Sequence, residues 1–495
     1  MRARVVVLLL IGVAMTGSAG AQTIPAHPQD LTFEPLEFDP PDAARYRHEL
    51  SNGVVVFVVE DDTLPLVNVS VLVRTGAYLE PSDKAGLAAL TGSQMRAGGT
   101  ASLSAADFDE EAAFLAAQIG SSIGGTQGRA NLNCLTKDLD VAWALFFDML
   151  RHPRYDQDRL ALAKSQALQG MERRNDSTTS IEGREWGRLM RGDAHFSTRP
   201  VTRASVESIT RDDLVAFHRR YYHPGSFIFA VSGDVDTADI LERLETRLAD
   251  WPIDAAPVAS VPAPSHQPRP GVYGVDKADV NQGRVSIGHL GTTRDNPDRY
   301  ALIVMNDILG GGGFSSRIMT RIRSDEGLAY SAGSSFGMGT YYDGVFRAAF
   351  QSRSETVARA SAIVLEEINR IRSTLVTEAE LRTSIASFVE TFTRSFSSAS
   401  TTANLFAGDE YTGRDPEYLT HYRDRIGAVT ADDVRRVATR YLQPDQLVVL
   451  VVGNLEVIEA GDRDNPEYVL ASIASGPITR IPLPDPLTME YPSAP

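Results

Sequence analysis

The nine histidines are the first residues to consider for chemistry, because imidazole is the commonest protein ligand for a metal ion. A catalytic zinc motif on a helix needs two histidines four residues apart, with a glutamate between them. No two histidines in this chain have that spacing, and His218 and His223, five residues apart, lie on different faces of a helix. The sequence therefore predicts structural roles for these two. The nine are His27, His48, His152, His195, His218, His223, His266, His289 and His421.

Two other short motifs suggest a catalytic role, but each lacks the context that its chemistry needs. The glycine run 310–313 is not followed by the Lys-Ser/Thr of a phosphate-binding loop, so it predicts a turn with close backbone packing. The segment 333–337 fits the Gly-x-Ser-x-Gly elbow of serine hydrolases around Ser335. That elbow needs a helix after it, whereas 338–350 predicts a turn and a strand, and His421 is the only later histidine.

Arg323 and Tyr330 are a pair of hydrogen-bond donors on one short segment. A guanidinium and a phenol that point at a developing negative oxygen can lower a reaction barrier by a few kcal/mol. A structural role is also open, because an arginine suits the end of a helix and a tyrosine can be a core aromatic in a strand. The two residues alone do not choose between these roles.

Composition limits the class of protein and its partners. The chain has 495 residues, 43% of them hydrophobic, which is enough for two to four domains. Cys134 is the only cysteine, so no intramolecular disulfide can form. The formal charge of -16, with no basic run, argues against nucleic acid or an anionic membrane surface as a partner.

The N-terminus has the features of a signal peptide at 1–21. Arg2 and Arg4 precede an apolar run, and Ala19 to Ala21 supplies the small residues that signal peptidase accepts. We expect cleavage after Ala21 and a periplasmic or secreted protein. The apolar run is shorter than the roughly 20 residues that span a bilayer, so no membrane span is expected.

An internal repeat appears when 209–236 is aligned with 429–456 at an offset of 220. Each copy predicts a threonine N-cap, an acidic first turn, an amphipathic helix, a proline turn and a buried strand. The match favours a duplicated chain. Positions identical in the two copies include Thr210 and Thr430, Asp212-Asp213 and Asp432-Asp433, Arg220-Tyr221 and Arg440-Tyr441, Pro224 and Pro444, and Gly233 and Gly453.

A proline-rich segment, 252–271, separates the two copies and predicts an extended linker. We expect an N-terminal lobe at 35–251, a C-terminal lobe at 272–460 and a proline-rich tail at 461–495. Alternating apolar residues predict strands at 54–59, 67–73, 284–289 and 345–351, and helical periodicity predicts helices at 105–119, 139–150 and 356–373. This pattern predicts an α+β fold of two similar lobes, each an antiparallel-rich sheet with helices on one side.

Over nearly the whole mature chain, the sequence resembles the pitrilysin/insulinase family of zinc peptidases, in particular its half-length branch similar to the mitochondrial processing peptidase. The most specific match is the segment Ile322 to Ser331. Other matching segments are Leu50-Ser51-Asn52-Gly53, Lys84-Ala85-Gly86-Leu87-Ala88, Phe217 to Pro224, Gly233-Asp234, and Ile308 to Gly312 with Ser316-Arg317.

Catalytic members of that family carry His-x-x-Glu-His just after the Gly-Leu-Ala segment. The resemblance places Ala89 and Ser93 at the histidine positions and Gly92 at the glutamate position. The third family ligand, a glutamate on a later helix, falls near Gln169, with Glu172 one turn away. The resemblance therefore implies a degenerate site that binds no metal.

The family places an arginine and a tyrosine at the positions of Arg323 and Tyr330, where they contact substrate and the transition-state oxyanion. We expect a member that is inactive alone and acts as the non-catalytic subunit of a heterodimer. Zinc would then belong to a homologous partner chain, and peptides would be the substrates. The alternative is a stand-alone pseudoprotease that binds peptides in the cell envelope.

Overall fold

The computed structural model describes residues 37–253, 256–473 and 477–492, together with the single residues 27 and 31. The predicted signal peptide and its cleavage site lie outside these residues. Residues Pro40–Pro495 form one compact unit. None of the described helices is both long enough and apolar enough to cross a bilayer.

The first half of the chain forms a six-stranded mixed sheet with the order β1-β2-β6-β3-β5-β4. Its strands are β1 Arg47–Glu49, β2 Val55–Glu60, β3 Leu66–Val73, β4 Gln118–Ile123, β5 Gly128–Leu135 and β6 Phe227–Gly233. Its helices are α1 Leu87–Ala97, α2 Ala105–Phe114, α3 Leu139–Arg151, α4 Gln157–Glu172, α5 Thr178–Arg191, α6 Arg203–Ser208, α7 Arg211–Tyr221 and α8 Thr237–Leu248.

The second half forms a sheet with the order β10-β12-β8-β13-β7-β14. The strands are β7 Gly271–Asp276, β8 Gln282–Leu290, β9 Thr292–Thr293, β10 Ala332–Phe336, β11 Met338–Gly339, β12 Val345–Arg353, β13 Val448–Gly453 and β14 Thr479–Arg480, of which β9 and β11 pair separately. The helices are α9 Arg299–Asn306, α10 Arg317–Met319, α11 Val357–Ser373, α12 Glu378–Thr391, α13 Ala399–Thr412, α14 Tyr418–Gly427, α15 Ala431–Tyr441, α16 Leu455–Ala460 and α17 Leu470–Ile473, with π-helical turns at Asp307–Gly311 and Thr320–Asp325.

Five strands of each sheet follow the same path. The run β2-β6-β3-β5-β4 corresponds to β7-β13-β8-β12-β10, and only the pairs β2–β6 and β7–β13 are parallel in these runs. Helix α7 and helix α15 each begin at a capping box, formed by Thr210 with Asp213 and by Thr430 with Asp433. The predicted α+β class of two similar lobes is confirmed.

Both faces of each sheet are buried, which explains the almost continuously apolar central strands. In β2, Val56 and Val58 face one core, and Phe57 and Val59 face another. The larger core lies between the first sheet and the helices of its own half. The smaller core lies between the first sheet and α13, a helix from the other half of the chain.

The two halves exchange one helix each, which the sequence did not predict. Helix α13 covers the first sheet, where Phe406 packs against Phe57 with 6.0 Å between ring centroids. Helix α5 covers the second sheet, through Ile181, Trp186 and Met190. The halves are therefore alike in sequence order but intertwined in space.

One predicted helix is wrong at its C-terminal end. The expected helix 105–119 stops at Phe114, and Ala116, with φ of 50°, reverses the chain before β4 starts at Gln118. The helical apolar spacing continues to Ile119 because Leu115 and Ile119 enter the same core from different elements. Periodicity alone cannot distinguish one continuous helix from a helix followed by a strand when both place apolar residues in the same core.

Candidate functional site

Helix α1 carries Ala89, Gly92 and Ser93, the three positions to which the resemblance assigns the zinc motif. The carboxylate of Glu80 accepts hydrogen bonds from the backbone N–H groups of Gly86 and Ala88, at 3.2 and 2.6 Å, and so caps the start of this helix. Ala89 and Ser93 are exposed on the same face, one turn apart. Neither side chain carries an imidazole or a carboxylate, so this face presents no strong zinc ligand.

Gly92, between them, lies against the edge strand β4. A Cβ atom at this position would lie 2.3 Å from the backbone nitrogen of Ile123 and 2.7 Å from the carbonyl carbon of Ser122. The hydroxyl of Ser121 also donates to the Gly92 carbonyl at 2.6 Å. Helix and strand are therefore too close for any side chain here, including a glutamate.

The structure packs α4 beside α1, and α4 carries Gln169, near which the resemblance places the third family ligand. Gln169 and Glu172 are both exposed on α4. Among the described residues, no three His, Cys, Asp or Glu side chains are grouped so that they could hold a metal ion. The side chains present at the family's zinc position thus do not fit zinc.

Arg323 and Tyr330 lie together in the second half of the chain. The Arg323 guanidinium carbon is 4.6 Å from the centre of the Tyr330 ring and 4.5 Å from that of Phe314. The two rings are 83% and 71% exposed. Arg323 therefore packs against two surface aromatic rings, an arrangement that we call the Arg323 stack.

Local structure explains this geometry. Arg323 lies on the π-helical turn Thr320–Asp325, anchored by the buried Ile322. Gly327, with φ of 62°, reverses the chain, and the N–H of Leu328 donates to the Ile322 carbonyl at 2.8 Å. Since Leu328 is buried, the segment is fixed and Tyr330 extends into solvent.

Phe314 is the site residue that the sequence did not predict. The only signal is a large apolar residue after four glycines, where a turn is expected to be polar. Gly310 in that run packs on β10, because a Cβ there would lie 2.5 Å from the backbone nitrogen of Ser334. The glycine run therefore provides the close packing that was predicted for it.

The serine-hydrolase motif has no elbow in the structure. Residues 332–336 form β10, in which Ser335 pairs with Arg347 of β12. The hydroxyl of Ser334 donates to the side-chain oxygen of Asn306 at 2.8 Å. A regular strand without a following helix cannot present Ser335 as a nucleophile of that type.

His218 and His223 are buried among structural contacts. Nε2 of His218 lies 2.9 Å from the Leu150 carbonyl, so this nitrogen is the donor, and the ring stacks on Tyr222. His223 contacts the hydroxyl of Ser226 through Nε2 at 3.2 Å. Both histidines have the structural roles that their spacing predicts.

Fold and site define a two-lobed α+β protein that has no zinc ligands at the positions where the resemblance expects them. Residues 208–388 match the family described as Peptidase M16 inactive domain. A Mycobacterium bovis protein described as an uncharacterized zinc protease is 28% identical over 318 residues, which cover 62% of this chain and 70% of the relative.

Two solved structures share the fold. A peptidase M16 inactive domain from Pseudomonas fluorescens has a TM-score of 0.74 at 23% identity, covering 82% of this chain and 97% of that one. The periplasmic protease PqqL from Escherichia coli has a TM-score of 0.69 at 16% identity, covering 91% of this chain and 49% of that one. Residues 208–388 are therefore similar to the M16 inactive domain, and the two-lobed fold of the chain is the one seen in these solved M16 and PqqL structures.

Proposed function

We propose that this chain is the non-catalytic subunit of a heterodimeric M16 peptidase. A homologous partner chain carries the zinc ion, and this chain contributes Arg323 and Tyr330 to substrate and transition-state contacts. The observation that carries the proposal is an asymmetry. The α1 face has no metal ligands, whereas the Arg323 stack is intact and exposed.

The geometry of the Arg323 stack suits a hydrogen-bond donor that acts on a substrate held at the zinc site of the partner chain. The Arg323 guanidinium lies over two rings, and it has no hydrogen-bond or ion-pair partner among the described residues. A cation held in this way loses little entropy when it binds a carbonyl or an oxyanion. The Tyr330 hydroxyl adds a second donor beside it.

We further propose that residues 1–21 are removed on export and that the complex works in the periplasm. The residues of the predicted signal peptide support this location. A fold neighbour, PqqL, is described as a periplasmic protease, which agrees with the same compartment. Peptides of the cell envelope are then the substrates.

The test mixes the purified chain with a homologue from the same organism that carries His-x-x-Glu-His. We expect the chain alone to contain no stoichiometric zinc by mass spectrometry and to leave an internally quenched peptide uncut, and we expect the mixture to cleave it. Tyr330→Phe keeps the ring on Arg323 and removes the hydroxyl, so kcat of the mixture should fall by about 10- to 100-fold.

The matched control is Tyr46→Phe. It removes a phenol hydroxyl from a ring in the first half of the chain, which stacks on Phe406 of α13. This variant should leave kcat unchanged, and neither variant should weaken assembly measured by sedimentation. Stoichiometric zinc and cleavage by the chain alone would contradict the proposal. A chain that binds peptides but forms no complex with the homologue would instead identify a stand-alone pseudoprotease.

A further inference from the structure

A cleft of about 510 Å³ lies on the face of α5 that points away from the second sheet. Four arginines line it, two on α5 and two from neighbouring segments, although the chain carries a formal charge of -16. The cleft shares no residue with α1 or the Arg323 stack. The four are Arg174, Arg184, Arg188 and Arg199.

Two of these arginines are paired with carboxylates inside the protein. Arg184 and Arg188 share the buried carboxylate of Glu185, at 2.8 and 3.0 Å. Arg188 also contacts the exposed Asp193 at 2.7 Å. Even so, Nη2 of Arg184 is buried and has no hydrogen-bond partner among the described residues.

The other two arginines form no ion pair with a carboxylate in the part of the chain that the structure describes. Burial raises the pKa of the nearby Glu80 carboxyl, and the positive charge of Arg199 opposes that rise. Arg174 donates only to the backbone carbonyl of Pro486, at 3.3 Å, and burial together with the nearby charge of Arg184 lowers its pKa. Among the described residues, none forms a hydrogen bond or ion pair with the Arg199 guanidinium. The cleft thus holds more positive charge than its own carboxylates neutralise.

The floor of the cleft is open because of two glycines inside α5. Gly183 and Gly187 lie one turn apart on the cleft side. A Cβ at Gly183 would meet nothing within 4 Å, and a Cβ at Gly187 would meet only Thr198, at 3.5 Å. Glycine destabilises a helix interior relative to alanine, and no packing contact requires it here.

The chain's own segment 477–492, which turns between Asp485 and Glu490, lies against the rim of the cleft. The side chain of Asn175 donates to the Pro484 carbonyl at 2.8 Å, and the backbone N–H of Arg203 donates to the Leu487 carbonyl at 2.9 Å. The Tyr491 ring lies 4.0 Å from the Arg188 guanidinium, and its hydroxyl donates to Glu185 at 2.8 Å. Groups that donate to peptide carbonyls therefore lie next to arginines that can pair with carboxylates.

We propose that this cleft is a binding site for acidic peptide segments. Glutamate or aspartate carboxylates would pair with Arg174 and Arg199, and the peptide backbone would run over Gly183 and Gly187. The site needs neither a partner chain nor Arg323 and Tyr330. Its test therefore stays separate from that of the proposed function.

The test measures fluorescence anisotropy of a fluorescein-labelled peptide with a run of glutamates, against the same peptide with glutamines, on the full chain alone. We expect binding of the glutamate peptide that weakens between about 50 and 500 mM NaCl. Arg174→Gln with Arg199→Gln should weaken it by at least about tenfold. The matched control, Arg154→Gln with Arg219→Gln, removes two exposed charges outside the cleft and should have no effect.

A second variant tests the shape of the site independently of its charge. Gly183→Leu places a side chain in the floor at a position where a Cβ meets nothing within 4 Å, so the protein should fold and yet bind the peptide at least about tenfold more weakly. Inorganic phosphate is added as a competitor of the glutamate peptide. Equal binding of the two peptides, no loss in Gly183→Leu, or displacement of the glutamate peptide by equimolar phosphate would overturn the proposal.

Discussion

Gly92 determines what α1 can accommodate, because its hydrogen atom occupies the space where β4 passes. Gly92→Ala should destabilise the protein by about 1–3 kcal/mol through overlap with the backbone of Ile123, although alanine normally favours a helix. Gly170→Ala on α4 is the matched control, since its Cβ meets nothing within 4 Å, and it should stabilise by about 0.5–1 kcal/mol. Urea unfolding measures the free energy of unfolding of both variants. Equal stability of the two would contradict the close contact between Gly92 and β4.

His218 links stability to pH. Burial lowers the pKa of this histidine to about 4, whereas an unfolded chain has a histidine pKa of about 6.5. Between these values the unfolded chain takes up a proton that the folded chain does not. Stability should therefore fall as pH is lowered from about 6.5 to about 4, by up to about 3 kcal/mol from this residue.

Unfolding by urea at neutral and acidic pH measures this contribution. His218→Gln removes the titrating ring, so its stability should fall less on acidification than that of the wild type. His27→Gln changes an exposed histidine and should retain the full loss. The same pH dependence in wild type and His218→Gln would show that His218 does not cause it.

At the scale of elements, the exchanged helix α13 covers the second face of the first sheet, which would otherwise contact solvent. Phe406 is 2% exposed and contacts Phe57 and Tyr46, with ring centroids 6.0 and 5.8 Å apart. Phe406→Ala should cost about 3–5 kcal/mol, because the cavity has rigid walls. Phe314→Ala, at an exposed ring, should cost less than about 1 kcal/mol. Similar shifts in the thermal midpoint would contradict this role of α13.

Strands and capped helices could be predicted from the sequence because their signals are local. The run Phe227 to Val231 is apolar whatever covers it, and Thr210 with Asp213 forms a capping box within one turn. The exchange of α5 and α13 could not be predicted, since an amphipathic helix does not specify which sheet it covers. The pairing of Arg323 with Tyr330 could be predicted only from the family resemblance. The contact of Phe314 with Arg323 could not be predicted, because it depends on the path of the glycine-rich turn.

At the scale of the whole molecule, the exchange makes each half depend on the other. Without α13, the first sheet would expose Phe57, Val59, Leu72 and Ile228, and without α5 the second would expose Val448 and Leu450. The segment 477–492 adds another link, since β14 pairs with β7 while Pro484 accepts a hydrogen bond from Asn175. The predicted linker 252–271 is thus one of several connections between the halves.

A cut in the linker should therefore leave the molecule intact. A protease site inserted between Ala259 and Ser260, both exposed, would be cleaved, and the two pieces should still elute together at the mass of the full chain. Adding Phe406→Ala to the cut chain should promote separation in mild urea, because the cut halves are no longer covalently tethered and α13 holds the first sheet. Two pieces that separate in buffer without denaturant would show that the linker, and not the exchanged helices, joins the lobes.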